Sequence, residues 1–199
     1  AAADVALLTG TNLDEQQLFL FANPPKLDRA KLVRWLGHVF GEGASAVDTY
    51  ASGRPEASED DLFSAFLTDQ TFRIPAIRLA EAQSAHQKHT YLYLFSWESR
   101  AFDGRLGACH ALEIPFVFNN LARGGVEAFL GKGSPPTRLA KAMHEAWIAF
   151  ARRGDPNHPG IEHWPAFETS RRATMELGER IGILDDPNAS ERELWDGLL

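Results

Sequence analysis

Two short stretches of the sequence carry side chains that could share a proton. TNLDEQQLF (11–19) places Asp14 and Glu15 side by side after an apolar run, and GACHA (107–111) places His110 among small residues. A carboxylate that holds an imidazole fixes its tautomer and stabilises its cation, so that the pair could accept a proton from a reacting group. Each stretch alone is weak evidence, because acids near a turn are often solvated and histidine has many structural roles.

Two predicted strands would position these side chains. DVALLTG (4–10) is typical of a buried strand, and YLYLFSW (91–97) is apolar or aromatic at nearly every position, as in a central strand covered on both faces. Loops at the carboxyl ends of parallel strands gather the reactive groups of α/β proteins. We therefore expect Glu15 and His110 to lie at the carboxyl ends of adjacent strands, within hydrogen-bond reach.

Helical sequence fills most of the interval between the two strands. Asp28 is predicted to cap one helix, and Ser58 with Asp61 is predicted to form the capping box of another. Asp69 is predicted to open a third helical segment, which Pro75 should kink.

The most regular helix is predicted over 135–153, where Gly154 stops it. Downstream, TMELG (174–178) and IGILDD (181–186) predict a short strand pair, and Ser190 with Glu193 predicts a capping box for a final helix. The apolar residues of the long helix fall at helical spacing: Leu139, Ala142, Met143, Ala146, Trp147 and Phe150.

The order of these elements is that of an α/β protein, mostly helical, with two central parallel strands and a short C-terminal strand pair. The length of 199 residues fits one domain. Two parallel strands are too few for a stable sheet, since parallel sheets are buried on both faces. We therefore expect the chain to be part of a domain.

Composition excludes several classes of partner. The 27 acidic and 20 basic residues give a net charge of -7 without a dense basic cluster, which argues against nucleic acid and lipid headgroups. Cys109 is the only cysteine, so no disulfide forms within the chain and a reducing compartment, the cytoplasm, is expected. No apolar run approaches the roughly 20 residues that span a bilayer. Secretion would require a signal peptide upstream of residue 1.

Several stretches, in this order, resemble the type-B carboxylesterases, the α/β-hydrolase group that includes para-nitrobenzyl esterases and cholinesterases. TNLDEQQLF resembles their acid-bearing segment, and GACHALEIPFVF (107–118) resembles their histidine-bearing segment. The resemblance continues through DQTFRIPAIRLAEA (69–82), YLYLFSW and WIAFARRGDPN (147–157), and it covers nearly the whole chain.

The resemblance implies an ester hydrolase with a Ser-Glu-His triad, in which Glu15 is the acid and His110 the general base. It implies a small-molecule ester as substrate and no cofactor or metal. The nucleophile elbow GxSxG does not occur in the sequence. Its nearest match, GASAV around Ser45, lacks the second glycine and follows no strand. Residues 1–199 are therefore expected to be the C-terminal part of one α/β-hydrolase domain, inactive alone, with the N-terminal portion of the same esterase supplying the serine and oxyanion hole.

The sequence departs from the family pattern at two positions. The family commonly has glycine after the acid and after the histidine, where this chain has Gln16 and Ala111. Glu113 matches a recurrent family acid and is expected to anchor the site, while Asp14 is expected to bond nearby backbone. Five aromatic residues are candidates either for pocket walls or for core packing: Phe19, Phe21, Phe63, Phe66 and Phe72.

Three other interpretations remain open at this point. Cys109 adjoins His110 and could be a cysteine nucleophile, although a lone cysteine is commonly a small buried apolar residue. The pairs His86/His89 and His158/His163 lack a third ligand at zinc-site spacing and are expected on solvated surface. Finally, the chain could be a truncated, inactive esterase homologue that serves as a binding or interaction module through its exposed sheet edge.

Overall fold

A four-stranded mixed sheet organises the molecule, as described by a computed structural model of residues 3–198. The strands follow the order β1-β2-β3-β4, with β1, β2 and β3 parallel and β4 antiparallel to β3. Their bounds are Leu7–Asn12 (β1), Thr90–Phe95 (β2), Ala173–Leu177 (β3) and Ile181–Asp185 (β4).

The register of β1 and β2 brings their carboxyl ends to the same edge of the sheet. Leu7 lies opposite Thr90, and Asn12 lies opposite Phe95. Strand β2 is buried at every position except Tyr93, as its apolar sequence predicts. Strand β1 differs from the buried strand predicted for DVALLTG, because it is only half-buried until its last two residues. In the part of the chain that the structure describes, it pairs with β2 alone and lies at the edge.

The predicted C-terminal strand pair is present, but it is not separate from the central strands. Strand β3 lies parallel to β2, with Leu92 opposite Thr174 and Phe95 opposite Leu177. The sequence predicted two parallel strands, whereas the sheet contains three. Strand β3 is buried at four of its five positions, including Met175 at 0% exposure, and this burial requires a neighbour that local sequence does not identify.

Nine α-helices cover the sheet in residues 3–198. Asp28 caps α2 by accepting the Lys31 amide, and Ser58 and Asp61 form the predicted capping box of α4. The helices are α1 (Gln17–Leu20), α2 (Arg29–Phe40), α3 (Gly43–Ser52), α4 (Glu59–Thr68), α5 (Ile74–Ser84), α6 (Ile114–Val117), α7 (Glu127–Leu130), α8 (Thr137–Arg153) and α9 (Ala189–Leu194).

Helices α4 and α5 are joined by a π-helical turn, Asp69–Arg73, in which the Ile74 amide bonds the Asp69 carbonyl. Asp69 opens this π turn, where the sequence predicted a further helical segment, but the turn continues α4 without a break. The Asp69 carboxylate is bonded to the Tyr50 hydroxyl (2.8 Å) and to Arg73 (2.5 Å from Nε), so it cannot cap a helix. Pro75 lies in the first turn of α5, directly after this π turn.

Helix α8 confirms the long helix predicted from spacing, beginning at Thr137 rather than at residue 135. Gly154 ends it in the left-handed conformation, with φ of 70°. Of the predicted apolar stripe, Trp147 and Phe150 are half-buried, packed against Tyr93 and Tyr91. Its other four residues are buried: Leu139, Ala142, Met143 and Ala146.

The capping box predicted for the last helix is wrong, because Ser190 lies inside α9 and Asn188 precedes it in a left-handed conformation without a side-chain cap. Because α9 begins at Ala189, the side chains of Glu191 and Arg192 face the interior. Glu191 is 4% exposed and forms an ion pair with Arg54, while Arg192 pairs with Asp186 at 3.0 Å.

The two faces of the sheet bury separate cores, as the alternation of side chains along a strand requires. Tyr91 and Phe95 of β2 pack with α8 and Met175 on one face, and Leu92 packs with α2 to α5 and Trp195 on the other. In residues 3–198, no helix combines the length and apolarity needed to cross a membrane.

Candidate active site

Two loops meet beyond the carboxyl ends of β1 and β2. The first follows Asn12, and the ladder continues one bond past the strand, where the Leu13 amide donates to the Phe95 carbonyl at 2.8 Å. The second loop carries His110 between Cys109 and Leu112, both fully buried. These buried neighbours anchor the histidine backbone in the core while the ring reaches the first loop.

Glu15 and His110 form a hydrogen-bonded pair across the two loops. Glu15 Oε2 lies 2.6 Å from His110 Nδ1, at a sequence separation of 95 residues. The Glu15 side chain is 8% exposed and that of His110 is 42% exposed. This distance lies within the hydrogen-bond range expected from the sequence. Since Nδ1 faces the carboxylate, Nε2 is the ring nitrogen left for a reacting group.

The ionisation of Glu15 reflects opposing influences. Burial raises its pKa above the ordinary value, and hydrogen bonds from the Asn12 amide and from His110 oppose that rise. The nearby Glu113 carboxylate adds to it. A buried carboxylate next to an imidazole stabilises the imidazolium form when a proton arrives on the ring.

Asp14 binds backbone, as expected, and it joins the two loops. Its Oδ2 accepts the Ala108 amide at 2.9 Å, and its own amide donates to the Ala108 carbonyl at 3.0 Å. Gly107 allows this approach, because a Cβ there would lie 2.5 Å from Asp14 Oδ2. Burial raises the pKa of Asp14, and the bond from Ala108 opposes the rise.

Asn12 adds a second connection between the loops, which sequence reasoning missed. Its side-chain nitrogen donates to the Cys109 carbonyl at 2.7 Å and to Glu113 Oε2 at 2.6 Å. Its backbone amide donates to Glu15 Oε1 at 2.9 Å. The one available sequence signal was an amide residue at the carboxyl end of a predicted strand, three residues before the acid.

The two departures from the family pattern have different consequences. Gln16 has φ of -77°, a conformation open to any residue, and its amide donates to Thr68 Oγ1 at 3.1 Å. Ala111 has φ of 66°, in the left-handed region that glycine adopts without cost. The alanine after His110 therefore carries backbone strain that a glycine would not.

The candidate wall aromatics divide into two groups. Phe19 and Phe72 each place their ring centroid 5.3 Å from that of His110, and Phe19 is 55% exposed. Phe63 and Phe66 belong to the buried core of α2 to α5. Phe21 packs against Phe102 at 4.8 Å. Only the first two flank the imidazole.

The cysteine and metal interpretations gain no support from the positions of their residues. Cys109 is fully buried, and burial raises its pKa to about 12, which disfavours the thiolate. His86 is exposed, as expected. His158 is not on solvated surface, because its side chain is 8% exposed and its Nε2 bonds the Ala142 carbonyl at 3.0 Å. In residues 3–198, no group of three potential ligands lies close enough to hold a metal ion.

Comparison with known proteins places this geometry in context. The sequence model of the Carboxylesterase family matches residues 1–195. Phenmedipham hydrolase of Pseudarthrobacter oxydans is 32% identical over 183 residues, covering 89% of this chain and 36% of that protein. Para-nitrobenzyl esterase of Bacillus subtilis is 32% identical over 198 residues, covering 97% of this chain and 38% of that protein. The chain thus spans little more than a third of the length of these relatives.

Solved structures of esterases have the same fold as this chain. A carboxylesterase from Geobacillus stearothermophilus superposes with a TM-score of 0.82 at 34% identity, covering 98% of this chain and 41% of that one. A para-nitrobenzyl esterase structure gives a TM-score of 0.74 at 30% identity, covering 98% and 38%. The sheet, the two loops and the sequence match all lead to one assignment: the chain belongs to the carboxylesterase family, with the α/β-hydrolase fold of its relatives.

Proposed function

We propose that this chain supplies the acid and the histidine of a Ser-Glu-His triad that hydrolyses carboxylic esters. The serine and the oxyanion hole come from an upstream segment of the same protein, in one α/β-hydrolase domain. The observation that carries the proposal is the 2.6 Å contact between Glu15 Oε2 and His110 Nδ1, which leaves Nε2 on a half-exposed ring.

The chemistry follows from that orientation. The serine hydroxyl gives its proton to His110 Nε2 as its oxygen attacks the ester carbonyl, and Glu15 stabilises the resulting imidazolium. His110 then protonates the leaving alkoxide, and an acyl-enzyme forms. Water, activated by the same nitrogen, attacks the acyl group and releases the acid. The substrate is a small ester, for which the exposed ring of Phe19 beside His110 offers an apolar wall.

The free edge of β1 supports a domain shared with an upstream segment. In the described part of the chain this edge has no strand beside it, and unpaired strand edges attract further strands. The alternative, an inactive homologue that binds other proteins, could use the same edge. An interaction module would not require the hydrogen bond that holds Glu15 against His110. We therefore favour the esterase.

The test compares the 199-residue chain with the joined protein, defined as residues 1–199 preceded by a segment that bears GxSxG and the oxyanion loop. That segment is encoded by the upstream reading frame of the gene. Alternatively, it is taken from para-nitrobenzyl esterase, as the part of that protein that precedes the region matched by this chain. The chain alone should hydrolyse p-nitrophenyl acetate at background rate, and the joined protein should turn over. In the joined protein, Glu15→Gln and His110→Ala should each lower kcat by about 10⁴-fold.

Two results would contradict the proposal. Efficient turnover by the 199-residue chain alone, lost in His110→Ala, would mean that the nucleophile lies within residues 1–199. A folded joined protein that is inactive, or whose kcat is unchanged in Glu15→Gln, would remove the acid role and favour the interaction module.

A further inference from the structure

Asn12 occupies the junction between the acid loop and the histidine loop. It is 1% exposed, and it is the last residue of β1. Its backbone amide bonds Glu15 Oε1, and its side-chain nitrogen bonds the Cys109 carbonyl and Glu113 Oε2, at 2.9, 2.7 and 2.6 Å. One residue therefore contacts the proposed acid, the residue before the proposed base, and a carboxylate three residues after it.

The chemistry of its partners fixes the orientation of this amide. A backbone carbonyl and a carboxylate can only accept, so the side-chain nitrogen must face them. The Asn12 Oδ1 atom is then buried without a hydrogen-bond partner in residues 3–198. The side chain leaves one acceptor unsatisfied, at a cost in free energy, and directs its donors to the two acceptors. Aspartate has the same shape but offers oxygens only, and leucine offers neither.

From this geometry we infer that Asn12 is a positioning residue for the Glu15–His110 pair, an inference that rests on the proposed function. Its backbone holds one carboxylate oxygen of Glu15, so that the other faces the imidazole. Its side chain holds the loop that carries His110, so that the imidazole faces Glu15. The two halves of the pair are 95 residues apart in sequence, and Asn12 contacts the surroundings of both.

The first test is Asn12→Ala in the joined protein. The backbone bond to Glu15 can persist in this variant, whereas the bonds to the histidine loop are lost. We expect kcat for p-nitrophenyl acetate to fall about 10- to 100-fold with KM nearly unchanged, because proton-transfer geometry is impaired and substrate contacts are not.

A matched control is Asn157→Ala. The Asn157 amide also joins loop segments, donating to Asp155 (2.7 Å) and the Trp164 carbonyl (2.9 Å) and accepting the Trp164 amide (2.7 Å). It contacts none of the site residues described above. It should lower the melting temperature at least as much as Asn12→Ala while leaving kcat unchanged below that temperature.

Two combinations separate positioning from general structural support. Asn12→Asp places an oxygen against both acceptors and should lose as much kcat as Asn12→Ala. Adding Glu113→Gln supplies a donor for that oxygen, reverses one hydrogen bond and should restore part of kcat. In a Glu15→Gln background, Asn12→Ala should cause a smaller further loss than in the parent, because the hydrogen bond that Asn12 helps to align is already impaired.

The inference is overturned if Asn12→Ala leaves kcat within about twofold of the parent. It is also overturned if Asn12→Ala lowers kcat by the same factor in the Glu15→Gln background as in the parent. A failure of the proposed function is distinguishable, because there Glu15→Gln alone leaves kcat unchanged.

Discussion

Two hydrogen bonds join Asp14 to Ala108, and each of the two backbone amides donates one of them. The Ala108 amide donates to Asp14 Oδ2 at 2.9 Å, and the Asp14 amide donates to the Ala108 carbonyl at 3.0 Å. The neighbouring acids Asp14 and Glu15 therefore contact different groups of the loop that carries His110. Asp14 binds the backbone two residues before His110, and Glu15 binds the imidazole itself. This division explains why two acids follow one another directly after β1.

Asp14→Asn should stabilise the protein at neutral pH. Burial raises the pKa of Asp14 in the folded state, so the native protein holds this proton more tightly than the unfolded chain. The stability contribution of the carboxyl is therefore fully present below its unfolded pKa and is lost as pH rises through the folded pKa. The amide variant keeps an oxygen for Ala108 and has no charge to bury.

Urea denaturation of the joined protein at about pH 7 and about pH 3.5 measures this effect. The variant should exceed the parent in unfolding free energy at the higher pH and match it at the lower. Glu56→Gln, which removes an exposed carboxylate, is the control and should leave the unfolding free energy at about pH 7 within about 0.5 kcal/mol of the parent. A variant that is less stable than the parent at pH 7 would show that the charge of Asp14 is favourable in the folded state.

Ala111→Gly should stabilise the loop that carries His110. A left-handed conformation costs an L-residue about 1–2 kcal/mol, and φ at Ala111 is 66°. Glycine loses about 0.5–1 kcal/mol more conformational entropy on folding, so the net gain should be roughly 0.5–1 kcal/mol. Thermal denaturation tests it, with Ala82→Gly on α5 as a control that should lose about 1 kcal/mol. Equal losses in both variants would mean that the alanine is unstrained.

Cys109 should resist alkylation in the folded protein. Burial raises its pKa to about 12, so the thiolate that reacts with iodoacetamide is scarce at about pH 8. Mass spectrometry should find no adduct on the native protein and complete labelling in guanidinium. Cys109→Ala should keep the ester hydrolysis of the joined protein. Rapid native labelling together with loss of activity in Cys109→Ala would instead identify a cysteine nucleophile.

Asp69→Asn should destabilise the protein by about 3–5 kcal/mol, because it leaves the buried Arg73 guanidinium without its main partner. Asp69 accepts bonds from Arg73 Nε and Nη2 at 2.5 and 2.9 Å, whereas Glu191 lies 3.6 Å away. Urea denaturation should show a smaller loss when Arg73→Met is added.

The exposed pair of Asp185 with Arg171 provides the control for Asp69→Asn. Asp185→Asn should cost less than about 1 kcal/mol, since solvent screens that pair. Equal losses in the two aspartate variants would contradict the importance of burial.

Local sequence predicted those parts of the fold that depend on near neighbours. The Asp28 cap, the capping box of Ser58 and the spacing of α8 each involve residues within a turn or two of one another. The place of β3 beside β2 was not predicted, because pairing between residues such as Leu92 and Thr174 leaves no local pattern.

The candidate site shows the same limit. Glu15 and His110 were identified through motif resemblance, whereas Asn12 was not, since its partners Cys109 and Glu113 lie about a hundred positions along the chain. The start of α9 was misplaced for a similar reason. Glu191 pairs with Arg54, 137 residues away, and this buried ion pair outweighs the local signal from Ser190.

The π turn between α4 and α5 makes the site sensitive to chain length. A π turn amounts to one residue inserted into an α-helix, and each residue rotates a helix by about 100°. In this turn Phe72 reaches His110 while Asp69 and Arg73 remain buried beside Tyr50. Deleting one residue from 69–73 would remove the π turn and rotate α4 relative to α5, so the residues on one side of the deletion would turn away from their partners. The number of residues here therefore matters as much as their identity, and homologues that differ by one position in this stretch would present a different side chain to the histidine.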